Sequence, residues 1–194
     1  MNLQHINIKF YVENPESVNL ADYGAVFNSW IQGQRLEELL IDVADYLHVH
    51  HGPGIMLIGH EADYSLDHRA GRLGLLYNRK EQLEGTTQEK LAQAIRAALT
   101  AAQILEKENG LKFIGSEVQI IVNDRLLLPN TGEMFDALEP DLQAFFNRLY
   151  NGAEFTLAHL VNPRERFTVN AKTESSFDVD TLLKNLSVEA AHAQ

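Results

Sequence analysis

YLHVHHGPGIMLIGHEADYSLDHRAGRLGLLYNRK, residues 46–80, decides the fold of this chain. Gly54 to Gly59 encloses Ile55-Met56-Leu57-Ile58, a short apolar run that suits a central strand. Gly71 to Tyr77 supplies a return strand, with Leu73, Leu75 and Tyr77 on one parity. Between them the spacing predicts a polar loop, residues 60–72, carrying His60, Glu61, Asp63, Asp67, His68, Arg69 and Arg72. On the other side, Gly52-Pro53 reads as the stop of a preceding helix, because glycine closes a helix and proline cannot continue one. Read as a hairpin, the two strands pair antiparallel.

Upstream, Ile6, Ile8, Phe10 and Val12 alternate with Asn7, Lys9 and Tyr11, which predicts a half-buried strand. Leu20, Tyr23, Phe27, Trp30 and Ile31 recur at helical spacing, with Asn19 as N-cap and Gly33 as the break. Leu36, Leu39, Leu40, Val43 and Leu47 predict a second helix from about Arg35, ending in the His48-x-His50-His51 cluster.

Downstream, Thr86-Thr87-Gln88-Glu89 matches a capping box ahead of Leu91, Ala94, Ile95, Ala98, Ala102 and Leu105, and Asn109-Gly110 closes that helix. Glu117 to Val122 and Arg125 to Leu128 read as a tight hairpin about Asn123-Asp124. A short helix from Gly132 is interrupted at Glu139-Pro140, where a new one begins with Leu142, Phe145, Phe146 and Leu149 as its core face. A third hairpin spans 154–172 around Asn162-Pro163-Arg164-Glu165, and a last helix starts near Asp178. Residues 189–194 read as a frayed tail. Helices alternating with hairpins give an α+β class: a largely antiparallel sheet of about seven strands, with helices mainly on one face, in a single domain over 1–194.

The 194 residues are long enough to bury a substantial core. A formal net charge of −11 argues against a general nucleic-acid or anionic-membrane binder. With no cysteine there is no disulfide, thiol catalysis or thiolate metal site, which suits a cytoplasmic protein. No apolar run approaches the roughly 18 residues of a membrane helix.

Five of the eight histidines lie in 46–80. His48, His50 and His51 sit where a helix end favours cationic groups, so capping competes with a metal role. His60, Glu61, Asp63, Asp67 and His68 are better placed, at the exit of a strand. His60, Asp63, Asp67 and His68 are candidate ligands for a divalent metal, and His60 with Glu61 a candidate acid–base pair. Their order matches no HExxH signature. Arg69 and Arg72 are candidates for holding a small anion, with Arg164 and Arg166 joining if the hairpins are neighbours; ion pairing with nearby Asp63, Asp67 and Glu81 is the simpler alternative. The glycines fit neither a dinucleotide fingerprint nor a P-loop, and no G-x-S-x-G is present. His159 shares strand parity with Phe155 and Leu157 and reads as a core histidine.

Two functional expectations follow. The first is a non-catalytic binding or assembly module acting as a homo-oligomer, with a small anionic ligand as a second partner. The alternative is a small-molecule hydrolase or lyase, metal-dependent or not, with its site at 60–72.

Overall fold

A computed structural model describes residues 3–50 and 52–187. Ile6–Val12 is strand β1, and it is buried on both faces rather than half-buried. Ile6, Ile8, Phe10 and Val12 enter the apolar core, while Asn7, Lys9 and Tyr11 are buried on the opposite side. After a 3-10 turn at Leu20–Asp22, helix α1 runs Tyr23–Gly33 and buries Tyr23, Phe27 and Trp30. Gln34, in the left-handed region, caps it.

Strands β2 (Leu40–Asp45), β3 (Ile55–Gly59), β4 (Ala62–Asp67) and β5 (Gly74–Arg79) follow as a meander. Helix α2 (Thr87–Asn109) begins with the expected capping box: Glu89 N–H donates to Thr86 Oγ1, and Thr86 N–H donates to Glu89 Oε2. Then come β6 (Phe113–Val122), α3 (Gly132–Leu149), β7 (Phe155–His159), β8 (Phe167–Thr173) and α4 (Val179–Ser187). The eight strands form one sheet in the order β2-β3-β4-β5-β1-β6-β8-β7. Every neighbouring pair is antiparallel, so the α+β expectation holds, with eight strands in place of about seven.

Helix α2 lies across β1 and β5, α1 beside β2 and β3, and α3 beside β7. The small residues Ala94, Ala98, Ala101 and Ala102 of α2 are fully buried and allow its close approach to the sheet. The helices supply the apolar layer that Ile8, Phe10, Leu57, Tyr64, Leu66, Leu75 and Tyr77 require.

Four expectations are corrected. Residues 40–45 are an edge strand, not a helix; the helical stripe fails because Leu39 and Leu47 are exposed, and pairing with β3 outweighs local propensity. Residues 62–67 are strand, not loop: Ala62, Tyr64 and Leu66 are core, and Asp63, Ser65 and Asp67 face the other way. Residues 125–127 form a turn, so β6 finds its partners in β1 and β8 rather than in a local hairpin. Helix α3 continues through Pro140 instead of restarting there, since Leu138, Leu142, Phe145 and Phe146 hold one buried face on both sides of it. With no helix at 35–47, His48 and His50 fall in the exposed β2–β3 connection and cap nothing helical. His51 and the tail 189–194 lie outside the described residues.

Candidate functional site

The sheet face away from the helices is polar, and its centre is shielded from water. The strand register lays three rungs across it. One runs Asp63, Asn78, Asn7, Ile121, Thr168. The next runs Ser65, Leu76, Lys9, Gln119, Asn170. The third carries Asp67, Gly74 and Tyr11, with Glu117 and Lys172 beyond. Period-two alternation puts these side chains on one side because their neighbours in the chain are committed to the core.

Lys9 and Asp67 are the centre. Lys9 is 2% exposed and Asp67 0%. The Lys9 ammonium donates to Asp67 Oδ1 at 2.5 Å, to the Arg72 carbonyl at 2.9 Å and to the Arg69 carbonyl at 3.3 Å. One lysine therefore gathers the β4–β5 connection, with its 3-10 turn Arg69–Gly71, over the sheet. Burial pulls the Lys9 pKa below the usual lysine range, with the Asp67 charge opposing.

The gathered connection presents two arginines. The Arg69 Nε lies 3.7 Å from Asp67 Oδ2. The Arg72 guanidinium stacks 3.5 Å above the Tyr11 ring and forks onto Glu117 at 2.6 and 3.0 Å. The Glu117 hydrogen bond raises the Arg72 pKa further, while burial raises that of Tyr11. Arg166, just ahead of β8, joins them: burial lowers its pKa, and the Arg69 charge lowers it again while Asp67 opposes.

Three cations, Lys9, Arg69 and Arg72, thus meet two carboxylates, Asp67 and Glu117, in a chain whose overall charge is −11. Nearby, Asn7 Oδ1 and Asn78 Oδ1 are buried without a hydrogen-bond partner among the described residues, and they stand directly opposite one another in the β1–β5 register. Buried acceptors of this kind are costly unless a donor reaches them. The face can therefore attract negative charge at its Arg69–Arg72 end and accept hydrogen bonds at its Asn7–Asn78 end.

The structure spreads the candidate metal and acid–base residues along β4. Asp63 and Asp67 share the polar face, but four residues of strand separate them by about 13 Å. Asp63 pairs with Lys80 at 2.8 Å, accepts from Gly59 N–H at 3.3 Å and receives Asn78 Nδ2 at 3.4 Å. His60 and Glu61 form the β3–β4 turn. The Glu61 backbone N–H, and after it the Leu39 N–H that donates to Glu61 Oε2, lower the Glu61 pKa. His60 Nδ1 sits 3.6 Å from Glu61, on an exposed side chain. His68 lies at the opposite end of β4, where it lines a cleft of about 230 Å³ with Tyr46, Leu47, Val49 and His50. Among the described residues no group of three or more His, Asp or Glu side chains is placed to hold a metal ion. His159 is half-buried between Phe135 and Phe167, and its Nε2 bonds Asn130 Oδ1 at 2.6 Å.

Sequence reasoning found Asp67, Arg69, Arg72 and Arg166 but missed Lys9, Tyr11 and Glu117. The alternation around Lys9 marked it as facing away from the core; only the β4-β5-β1-β6 order shows that Asp67 and Glu117 flank it. No helix of the described residues is long and apolar enough to cross a membrane. No protein-family model matches the chain, and no curated protein matches it either.

Proposed function

We propose that this chain is a non-catalytic binding and assembly protein, acting as a homo-oligomer in the cytoplasm, whose polar sheet face takes a small anionic ligand. The observation that carries the reading is the cluster of Lys9, Arg69 and Arg72 over the buried Asp67, with the Arg166 charge in electrostatic reach of it, a local positive excess in an acidic chain. Arginine supplies forked donors for carboxylate or phosphate; the Arg69 and Arg72 side chains are 43% and 44% exposed, and since Arg72 is already forked onto Glu117, Arg69 is the more open to a ligand. The cysteine-free, acidic composition supports the compartment and counts against a nucleic-acid partner.

The hydrolase or lyase alternative asks His60, Glu61, Asp63, Asp67 and His68 to act at one centre. Their spread over both ends of β4, and the engagement of Asp63 and Asp67 by Lys80 and Lys9, favour the binding reading. A divalent metal at His60, Asp63, Asp67 and His68 meets the same geometric objection.

Isothermal titration of inorganic phosphate and of citrate into the protein tests the proposal. Binding that weakens at least tenfold in Arg69→Ala, with the melting temperature kept, supports it. No heat at millimolar anion, or binding that Arg69→Ala leaves untouched, rejects it.

A further inference from the structure

The two edges of the sheet are built differently. On β2, a bulge between Leu40 and Asp42 breaks the register, and Asp42 and Asp45 add charge. Bulges and charges are the usual means of stopping an edge from pairing with another chain. The β7 edge lacks them. Phe155 to Val161 reads FTLAHLV, with no lysine, arginine, acid or proline, and its register with β8 is unbroken.

The outward groups of β7 follow from its ladder. Leu160 N–H donates to the Thr168 carbonyl. Hydrogen-bonded pairs alternate in an antiparallel ladder, so Ala158 and Thr156 face β8 with their backbone groups. Phe155, Leu157 and His159 must then turn their N–H and C=O groups outward. Among the described residues no further backbone bond reaches them.

We propose that two copies of this chain pair antiparallel through β7, about a twofold axis at Leu157, to form one continuous sheet. The inference rests on the homo-oligomer reading above and names its surface. Three facing pairs, Leu157 with its counterpart and Phe155 with His159 twice, give about six backbone hydrogen bonds. The strand is complementary to itself in shape. At its start lies a cleft of about 470 Å³ lined by Asn147, Gly152, Ala153, Glu154 and Phe155. At its end stand the exposed Leu160 and Val161. The twofold sets Val161 of each copy against Ala153 of the other, and Leu160 against Glu154, so that each apolar end meets a cleft.

Charge is complementary as well. Arg164 lies in the turn beyond Val161, and Glu154 and Glu174 flank the start of the strand. None of the three has an ion-pair partner among the described residues. Antiparallel pairing brings Arg164 of one copy toward Glu154 and Glu174 of the other.

The chain has no cysteine, so Leu157→Cys introduces a single thiol. Facing hydrogen-bonded residues have Cα atoms about 5.5 Å apart, within disulfide reach. Sedimentation of the wild type at about 50 µM should give twice the 21.9 kDa chain mass. Oxidised Leu157→Cys should form a covalent dimer nearly completely. Thr156→Lys/Ala158→Lys places lysines opposite lysines on an exposed face and should give a monomer with the wild-type circular dichroism spectrum. A monomeric wild type overturns the inference together with the homo-oligomer reading. A dimeric wild type whose Leu157→Cys fails to cross-link, or whose double-lysine variant stays a dimer, overturns the β7 edge alone. Anion binding at Arg69 is untouched by either result.

Discussion

Replacing Lys9 with methionine isolates the ammonium, because methionine keeps an unbranched apolar stem of similar length. The variant leaves the Asp67 carboxylate buried, with its side chain 0% exposed, and without its nearest cation. Two carbonyls, those of Arg69 and Arg72, lose a donor as well. Breaking one side of a buried ion pair costs about 3–5 kcal/mol. Arg69 retains its backbone N–H bond to Asp67 Oδ1 at 3.2 Å, which places the expected loss toward the lower end. At about 2–4 °C per kcal/mol for a chain of this size, the melting temperature should fall by roughly 6–15 °C. Urea denaturation followed by circular dichroism measures the loss as a shift in midpoint. Lys9→Met/Asp67→Leu removes both charges and should recover most of the loss, since apolar replacement of a whole buried pair is often near neutral. The reasoning is refuted if Lys9→Met costs less than about 1 kcal/mol, or if the double variant loses the sum of the two single losses.

Two further perturbations probe the elements that frame the polar face. Gly54 has φ of +72°, and an added Cβ would run into the Leu66 carbonyl oxygen, so Gly54→Ala should cost more than about 1 kcal/mol in the same urea assay; a neutral effect would contradict the tight β3–β4 approach. Burial lowers the His159 pKa below 6.5, against the opposing charge of Asp136. As the pH falls below 6.5 the unfolded chain takes the proton more readily than the folded one, so this contribution to stability is intact above pH 6.5 and is lost on acidification. The loss between pH 7.5 and pH 5 should be smaller in His159→Gln, and an identical pH dependence in the two proteins would contradict the assignment.

Much of the fold is legible in local signals. The β1 parity, the Thr86–Glu89 capping box and the β7–β8 hairpin are each written in a few adjacent residues, and each forms as read. The errors fall where tertiary context decides. Leu36, Leu39, Leu40, Val43 and Leu47 fit a helical stripe, yet the same residues serve an edge strand once β3 offers a partner. The alternation of Ala62, Tyr64 and Leu66 with Asp63, Ser65 and Asp67 is a strand signal in plain sight. Three polar residues and two flanking histidines gave it the composition of a loop. The candidate site is legible only in part. Asp67, Arg69 and Arg72 are adjacent in sequence, and their chemistry shows there. Lys9, 58 positions from Asp67, becomes a partner only through the β4-β5-β1 order, which no local pattern encodes.

On the proposed reading, the polar face of the sheet recruits an anion through the connection that Lys9 gathers. Nitrogen-15 and proton NMR during titration with inorganic phosphate tests it most directly, since amide shifts locate the ligand without assuming its site. Saturable shifts should concentrate at residues 67–72 and around Lys9, Tyr11 and Arg166, and should disappear in Arg69→Ala. Shifts centred on His60 and Glu61, or none at millimolar phosphate, would contradict it.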